Sequence, residues 1–143
     1  MTTAESTRAQ IEAFLAEPRN MMVAAIRRDG RPQMTPNWFI WDGSHFYVST
    51  TKTRLKYKNF RRDPRVQLAI DDSTGFKCLI VDGTVEILED HARGLPYFRQ
   101  ITIKHRGAAP DDQTILDRLV REQRVLLVIT PDKPLNEWTN WGF

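Results

Sequence analysis

The stretch STTKTRLKYKNFRRDPRV, residues 49–66, gathers Lys52, Arg54, Lys56, Lys58, Arg61, Arg62 and Arg65 around one acid, Asp63. Residues 52–65 therefore carry a local +6, while the whole chain carries +3, so everything outside that stretch sums to −3. Charge concentrated in this way points to a local anion site rather than a broad basic face. The spacing adds a geometry. Thr53 fits the N-cap of a short helix, which leaves the N–H groups of Arg54, Leu55 and Lys56 at a helix N-terminus, where free donors and the positive dipole end attract an anion. Two cations in a first helical turn are unfavourable unless an anion sits beside them. Ser49, Thr50 and Thr51, just upstream, add hydroxyl donors. Arginine meets a phosphate as a fork and lysine as a point charge, so the chemistry expected here is phosphate binding. Arg61, Arg62 and Arg65 follow the helix and are expected to be solvated or paired with acids.

Other chemistry finds less support. None of His45, His91 and His105 pairs with a cysteine or carboxylate at ligand spacing, and all three are expected to be structural. Cys78 is alone, with no disulfide frame and no CxxC pair, and is expected in the core. The sequence contains no GxGxxG after a strand, no GxxxxGK[ST] and no HExxH, which removes support for the Rossmann, P-loop and zincin readings. Tyr57 and Phe60 among the cations could stack on bases. No RNP, KH or helix-turn-helix pattern accompanies them, so nucleic acid is not an expected partner. No apolar run approaches the ~20 residues of a membrane span, and the N-terminus lacks the apolar segment of a secretory signal, so the expected setting is cytoplasmic and without a membrane.

These residues must be positioned by strands. Ile11, Phe14 and Leu15 predict a helix over Thr7–Ala16, ended by Pro18. Met21–Ile26 is an apolar strand, followed by the hairpin turn Asp29-Gly30. Pro32–Trp41 reads as a second strand, with Met34, Pro36, Trp38 and Ile40 on one face and Pro36 confined to an edge or a bulge. Asp42-Gly43 is another hairpin turn, and Phe46–Thr50 is the third strand. A short helix through Leu55–Phe60 stops at Asp63-Pro64. Val66–Ile70 is the fourth strand, and Lys77–Leu88 is a long fifth with a bulge expected at Asp82-Gly83. Two helices fill residues 90–122, the second opened by Asp111 or Asp112. Val125–Ile129 is the last strand. Six strands joined mostly by hairpins, with a few helices, predict one small antiparallel barrel over residues 1–143.

The run DGRPQMTPNWFIWDGSHFYVSTTKTRLKYKNFRRDPRVQLAIDD resembles the core of the pyridoxamine-phosphate-oxidase-like split-barrel family, most closely the branch that uses the deazaflavin coenzyme F420. The resemblance spans roughly residues 20–90, and the final strand fits it as well. It rests on the GRPQ strand followed at fixed distance by S…RxKxxNxxxDPR. It implies a mainly β (α+β), six-stranded antiparallel split β-barrel with short peripheral helices. It also implies a homodimer with two coenzyme sites in its interface. Carried over by position, Arg54 and Lys56 hold the coenzyme phosphate with Ser49. Gln33, Met34, Thr35, Pro36 and Asn37 lie along the flat ring. Thr50, Thr51 and Lys58 complete the expected coenzyme set, with Lys52 and Arg61 as further cations. Trp38, sharing a face with Met34 and Pro36, is the substrate-side candidate, as an aromatic wall stacks well on flat heterocycles. Trp41, Trp138 and Trp141 are expected to pack.

The arginine motif that classical members carry near the C-terminus is not found in NEWTNWGF, which argues against the vitamin B6 oxidase reaction. The expected activity is hydride transfer from reduced F420 to an unsaturated organic acceptor, with no metal and no nominated catalytic side chain. FMN is the alternative coenzyme, serving an oxidase or reductase. The surplus cations favour F420, which adds a phosphodiester and a polyglutamate tail. A non-catalytic F420 carrier is the remaining alternative.

Overall fold

A computed structural model describes residues 3–143. Strand alternation is legible from the first hairpin. In β1 (Met21–Ile26), Met21, Val23 and Ala25 are buried while Met22, Ala24 and Ile26 are half-buried. At the turn, Gly30 takes φ 88°, a left-handed conformation that glycine adopts freely, and Arg27 N donates to Arg31 O at 2.8 Å. β2 (Pro32–Asn37) then pairs antiparallel with β1, from Met21↔Asn37 to Ile26↔Pro32.

The strand expected over Pro32–Trp41 is two strands. β2 ends at Asn37, and β3 (Ile40–Trp41) joins the opposite end of the sheet by pairing with β4 (Phe46–Thr51). The remaining strands are β5 (Arg65–Asp71), β6 (Cys78–Leu88), β7 (Arg124–Pro131) and β8 (Thr139–Trp141). The order is β2-β1-β5-β6-β7-β4-β3, with β8 on β6. One stretch of chain thus supplies both ends of the sheet, and the bend at Trp38 and Phe39 curls it into a split β-barrel. Pro36 sits on the edge strand β2, where its missing donor is not needed.

β6 turns the corner. It pairs with β5 from Asp71↔Cys78 to Arg65↔Thr84, and with β7 from Gly83↔Pro131 to Leu88↔Leu126. The expected bulge at Asp82-Gly83 is absent, because Gln67↔Asp82 and Val66↔Gly83 continue the register without a break. The glycine is there for another reason. A Cβ at Gly83 would stand 2.7 Å from the Thr130 carbonyl oxygen.

Among the described residues four α-helices flank the sheet: α1 (Thr3–Ala16), α2 (Leu55–Arg62), α3 (His91–Arg106) and α4 (Asp112–Arg121). The first begins earlier than its apolar spacing predicted. Asp63 ends α2 in extended backbone, as the following Pro64 demands. Asp111 caps α4, accepting from Thr114 N at 2.8 Å. The barrel interior is filled by residues such as Val23, Phe39, Phe46, Leu68, Leu79 and Leu127. A second apolar cluster lies on the outer face of β4 and β7, where Tyr47 and Leu126 meet Phe98, Ile101, Ile115 and Leu119 of α3 and α4. Among the described residues no such cluster covers the outer face of β2, β1 and β5. Among the described residues no helix is long and apolar enough to cross a membrane.

Candidate functional site

α2 is a short helix, and polar side chains dock it on β2. Lys56, 7% exposed, donates to Asn37 Oδ1. Asn59, also buried, donates through Nδ2 to Gln33 Oε1 at 3.2 Å. Arg62 Nη1 donates to Asn59 Oδ1 at 3.2 Å, and the same guanidinium reaches the Ile26 carbonyl. Asn37 in turn donates to Thr35 O at 2.8 Å and Thr35 Oγ1 at 3.1 Å. Gln33, Thr35 and Asn37 therefore form a half-buried polar face toward α2, while Met34 and Pro36 point outward. The five residues expected along one ring lie on two faces of one strand.

Lys56 is a cation taken out of water with one amide oxygen as its partner. Burial lowers its pKa from 10.5 to about 8, and the neighbouring charge of Arg54 pushes the same way. No carboxylate pairs with it among the described residues. An anion placed beside it would relieve a cost that the protein alone leaves standing.

The helix begins one residue later than its sequence predicted. Arg54, not Thr53, is the N-cap, and its side chain makes no capping bond. Thr53 instead shares a 2.8 Å hydrogen bond with Thr51 Oγ1, so the first-turn N–H groups of α2 have no side-chain cap. Among the described residues Arg54 and Lys58 form no ion pair, and both are exposed. The other cations are engaged. Lys52 lies 3.6 Å from Glu89, Arg65 pairs with Asp63 at 2.8 Å, and the Arg61 guanidinium sits 5.7 Å from the Tyr57 ring centre. Strand alternation divides the upstream hydroxyls. Ser49 and Thr51 share the outer face of β4, whereas Thr50 is buried on the inner face, so the three cannot present one row of donors.

Ser49 leads to a feature that sequence reasoning missed. Arg124 Nη1 donates to Ser49 Oγ at 3.0 Å, and Arg124 Nε donates to Glu122 Oε2 at 2.8 Å. Ser49 and Arg124, with Asn20, Pro36, Asn37, Trp38 and Ile101, line a cleft of about 310 Å³. Trp38, 40% exposed, is its aromatic wall. It stacks on His105 with ring centres 5.0 Å apart and planes within 9°, and Arg106 lies 5.3 Å from its ring centre. His105 is anchored in turn by Phe39, whose backbone N and O lie 3.2 and 3.1 Å from Nε2. Burial holds the His105 pKa down, disfavouring the charged imidazolium. Arg124 is 75 residues from Ser49, and nothing in its local sequence tells that the β4–β7 register brings the two together. Trp41 packs against Phe46 and the buried Trp138, Cys78 is buried, and Trp141 is half exposed.

Residues 7–134 match a family profile described as Pyridoxamine 5'-phosphate oxidase. Among solved structures, an F420 reductase superposes with a TM-score of 0.69 at 27% identity, covering 85% of this chain and 93% of its own. The conserved hypothetical protein Rv2991 from Mycobacterium tuberculosis gives a TM-score of 0.80 at 24% identity, over 99% of this chain and 84% of its own. The heme storage protein HutZ from Vibrio cholerae gives 0.73 at 20% identity, over 94% of each chain. The last two likenesses are likenesses of fold.

Proposed function

The chain belongs to the pyridoxamine 5'-phosphate oxidase family, and from that membership we propose that it is an oxidoreductase that binds reduced coenzyme F420 and uses it to reduce an unsaturated organic acceptor. The observation that carries this reading is Lys56, a buried cation without an acid, beside the unpaired Arg54 and the uncapped first turn of α2. This donor set fits a phosphate. Lys56 and Arg54 would hold the phosphodiester. Lys58 is free for the acidic tail, and Lys52 and Arg61 stand close by with weaker engagements. The β2 face of Gln33, Thr35 and Asn37 would carry the ring, and Trp38 would close the acceptor side. When bound, the coenzyme supplies a hydride, and water can supply the proton that completes the reduction. The protein's part is to bind, to orient and to exclude water, and no side chain is assigned as general acid.

F420 is preferred over FMN because three cations without acids exceed what one phosphate monoester requires. A homodimer completes the proposal. The outer face of β2, β1 and β5 presents Met34, 55% exposed, with Pro36, Met22, Ala24 and Ala69, and a second copy of the chain would cover it. A lone buried cysteine places no demand on an oxidising compartment, which fits a cytoplasmic setting.

The deciding experiment titrates F420 and FMN into the same preparation, read by coenzyme fluorescence. F420 is expected to bind more tightly, and Lys56→Met and Arg54→Met each to weaken it about tenfold, the ~1.4 kcal/mol of one charge-assisted contact. Tighter FMN binding would move the reading to FMN, and binding of neither would end it. Tight F420 binding without turnover across a broad acceptor panel would make the protein a carrier.

A further inference from the structure

Past Trp38 the groove changes character. It continues into a compartment of about 210 Å³ between α3, α4 and β7. The floor is apolar: Phe98, Ile101, Ile115 and Leu119, all buried. The rim is cationic, with Arg106, Arg118 and Arg124, and no aspartate or glutamate lines the compartment. Glu122 lies behind the rim and serves two guanidiniums at once, Arg118 at 2.9 Å and Arg124 at 2.8 Å. Among the described residues Arg106 pairs with no acid, and its guanidinium lies over the Trp38 ring. Two positive charges are thus left uncompensated at the mouth. Neither Asp111, the N-cap of α4, nor Asp112, which pairs with Arg99, lines the compartment or forms an ion pair with its arginines. Burial disfavours the charged form of His105, behind Trp38.

We propose that this compartment binds the acceptor and that the acceptor is an organic acid, its unsaturated apolar body on the floor and its carboxylate forked by Arg106 and Arg118. Apolar walls with a few convergent polar groups are the usual make-up of a small-molecule site, and guanidinium is the side chain best matched to a carboxylate. The compartment is smaller than the ~300–1,000 Å³ of drug-sized sites, which limits the enclosed body to roughly one or two fused rings or a short chain. Its position gives the acceptor role. It shares Trp38, Ser49, Ile101 and Arg124 with the cleft that reaches Pro36 and Asn37, and Asn37 is the residue that Lys56 grips. An acid anchored at the far rim extends toward the coenzyme strand. Its electron-poor carbon accepts the hydride, the neighbouring atom of the same double bond takes a proton from water, and the carboxylate is unchanged. The two electrons come from the reduced coenzyme, so the acceptor role rests on the reading above, whereas the acid site does not.

Calorimetry with the full chain tests this, using 2-naphthoate and its methyl ester as probes. The acid is expected to bind at least tenfold more tightly than the ester. Arg106→Gln combined with Arg118→Gln is expected to erase that preference while leaving the ester's affinity and the thermal midpoint unchanged, since both side chains are substantially exposed. Equal affinity for acid and ester in the unmodified chain, or binding of neither, overturns the proposal without any variant. Lys56→Met separates the two readings, because it should weaken coenzyme binding and keep the naphthoate preference. A chain that prefers the acid yet binds no coenzyme would retain the acid site and lose both the acceptor role and the proposed function.

Discussion

At the scale of single residues, Lys56 is where folding and binding oppose one another. Its ammonium titrates near pH 8 in the folded chain and near 10.5 when unfolded. Between those values the unfolded chain binds more protons, so stability rises with pH through that window, and below about pH 8 the cost of the buried charge is fully present. Lys104 behaves alike. Burial and Arg19 lower it to about 8, with Nζ bonded to Leu15 O at 2.7 Å and 3.7 Å above the Phe39 ring centre. The urea midpoint of the free protein should therefore rise from about pH 7.5 to about pH 9.5, and the Lys56→Met, Lys104→Met double variant should lose most of that rise. Coenzyme affinity should move the other way, falling above about pH 8 as Lys56 loses its proton, and Lys56→Met should flatten that profile. An affinity that is level from about pH 7 to about pH 9.5 would remove Lys56 from the anion site.

At the scale of elements, local rules decided most boundaries and packing overrode a few. The Asp29-Gly30 turn, the stop at Asp63-Pro64 and the Asp111 cap all follow from backbone chemistry within a few residues. Asp111→Ala should cost about 1 kcal/mol in urea unfolding, the worth of a typical N-cap. Gly83 belongs to a different kind of constraint. Its neighbour Asp82 made it look like a bulge, yet it is conformationally ordinary and merely has Thr130 against it, in a strand that leaves β5 for β7. Gly83→Ala should cost roughly 1–3 kcal/mol, seen as a lowered thermal midpoint, because a backbone carbonyl cannot step aside as a side chain can. The N-cap of α2 shifted by one residue for a local reason: the Thr53 hydroxyl bonds Thr51, two residues back, rather than the helix N–H groups.

At the scale of the whole molecule, the curl of the sheet creates two unlike surfaces. The β4–β7 side is closed by α3 and α4, and the rim of that packing is the arginine-lined compartment. Among the described residues no helix-packed apolar cluster lies on the β2–β1–β5 side, where Met34, Met22, Ala24 and Ala69 share the outer face with Gln67 and Ala24 sits between Met34 and Gln67. Sedimentation should report a dimer, and Ala24→Arg should yield a folded monomer with weakened coenzyme binding, because a buried charge opposed by its symmetry copy costs several kcal/mol. A monomeric unmodified chain would remove the dimer from the proposal.

What this sequence determined by itself was local: the concentration of positive charge around α2, the alternation that writes the strands, and the turns that join them. Those depend on neighbours a few residues apart, so a linear reading reaches them. The tertiary structure alone decided that one strand would break at Trp38 to supply both ends of the sheet, that Lys56 would be buried against Asn37, and that Ser49 would meet Arg124. Each of these is a long-range pairing set by sheet register and barrel closure, and no short-range preference of the residues involved encodes it.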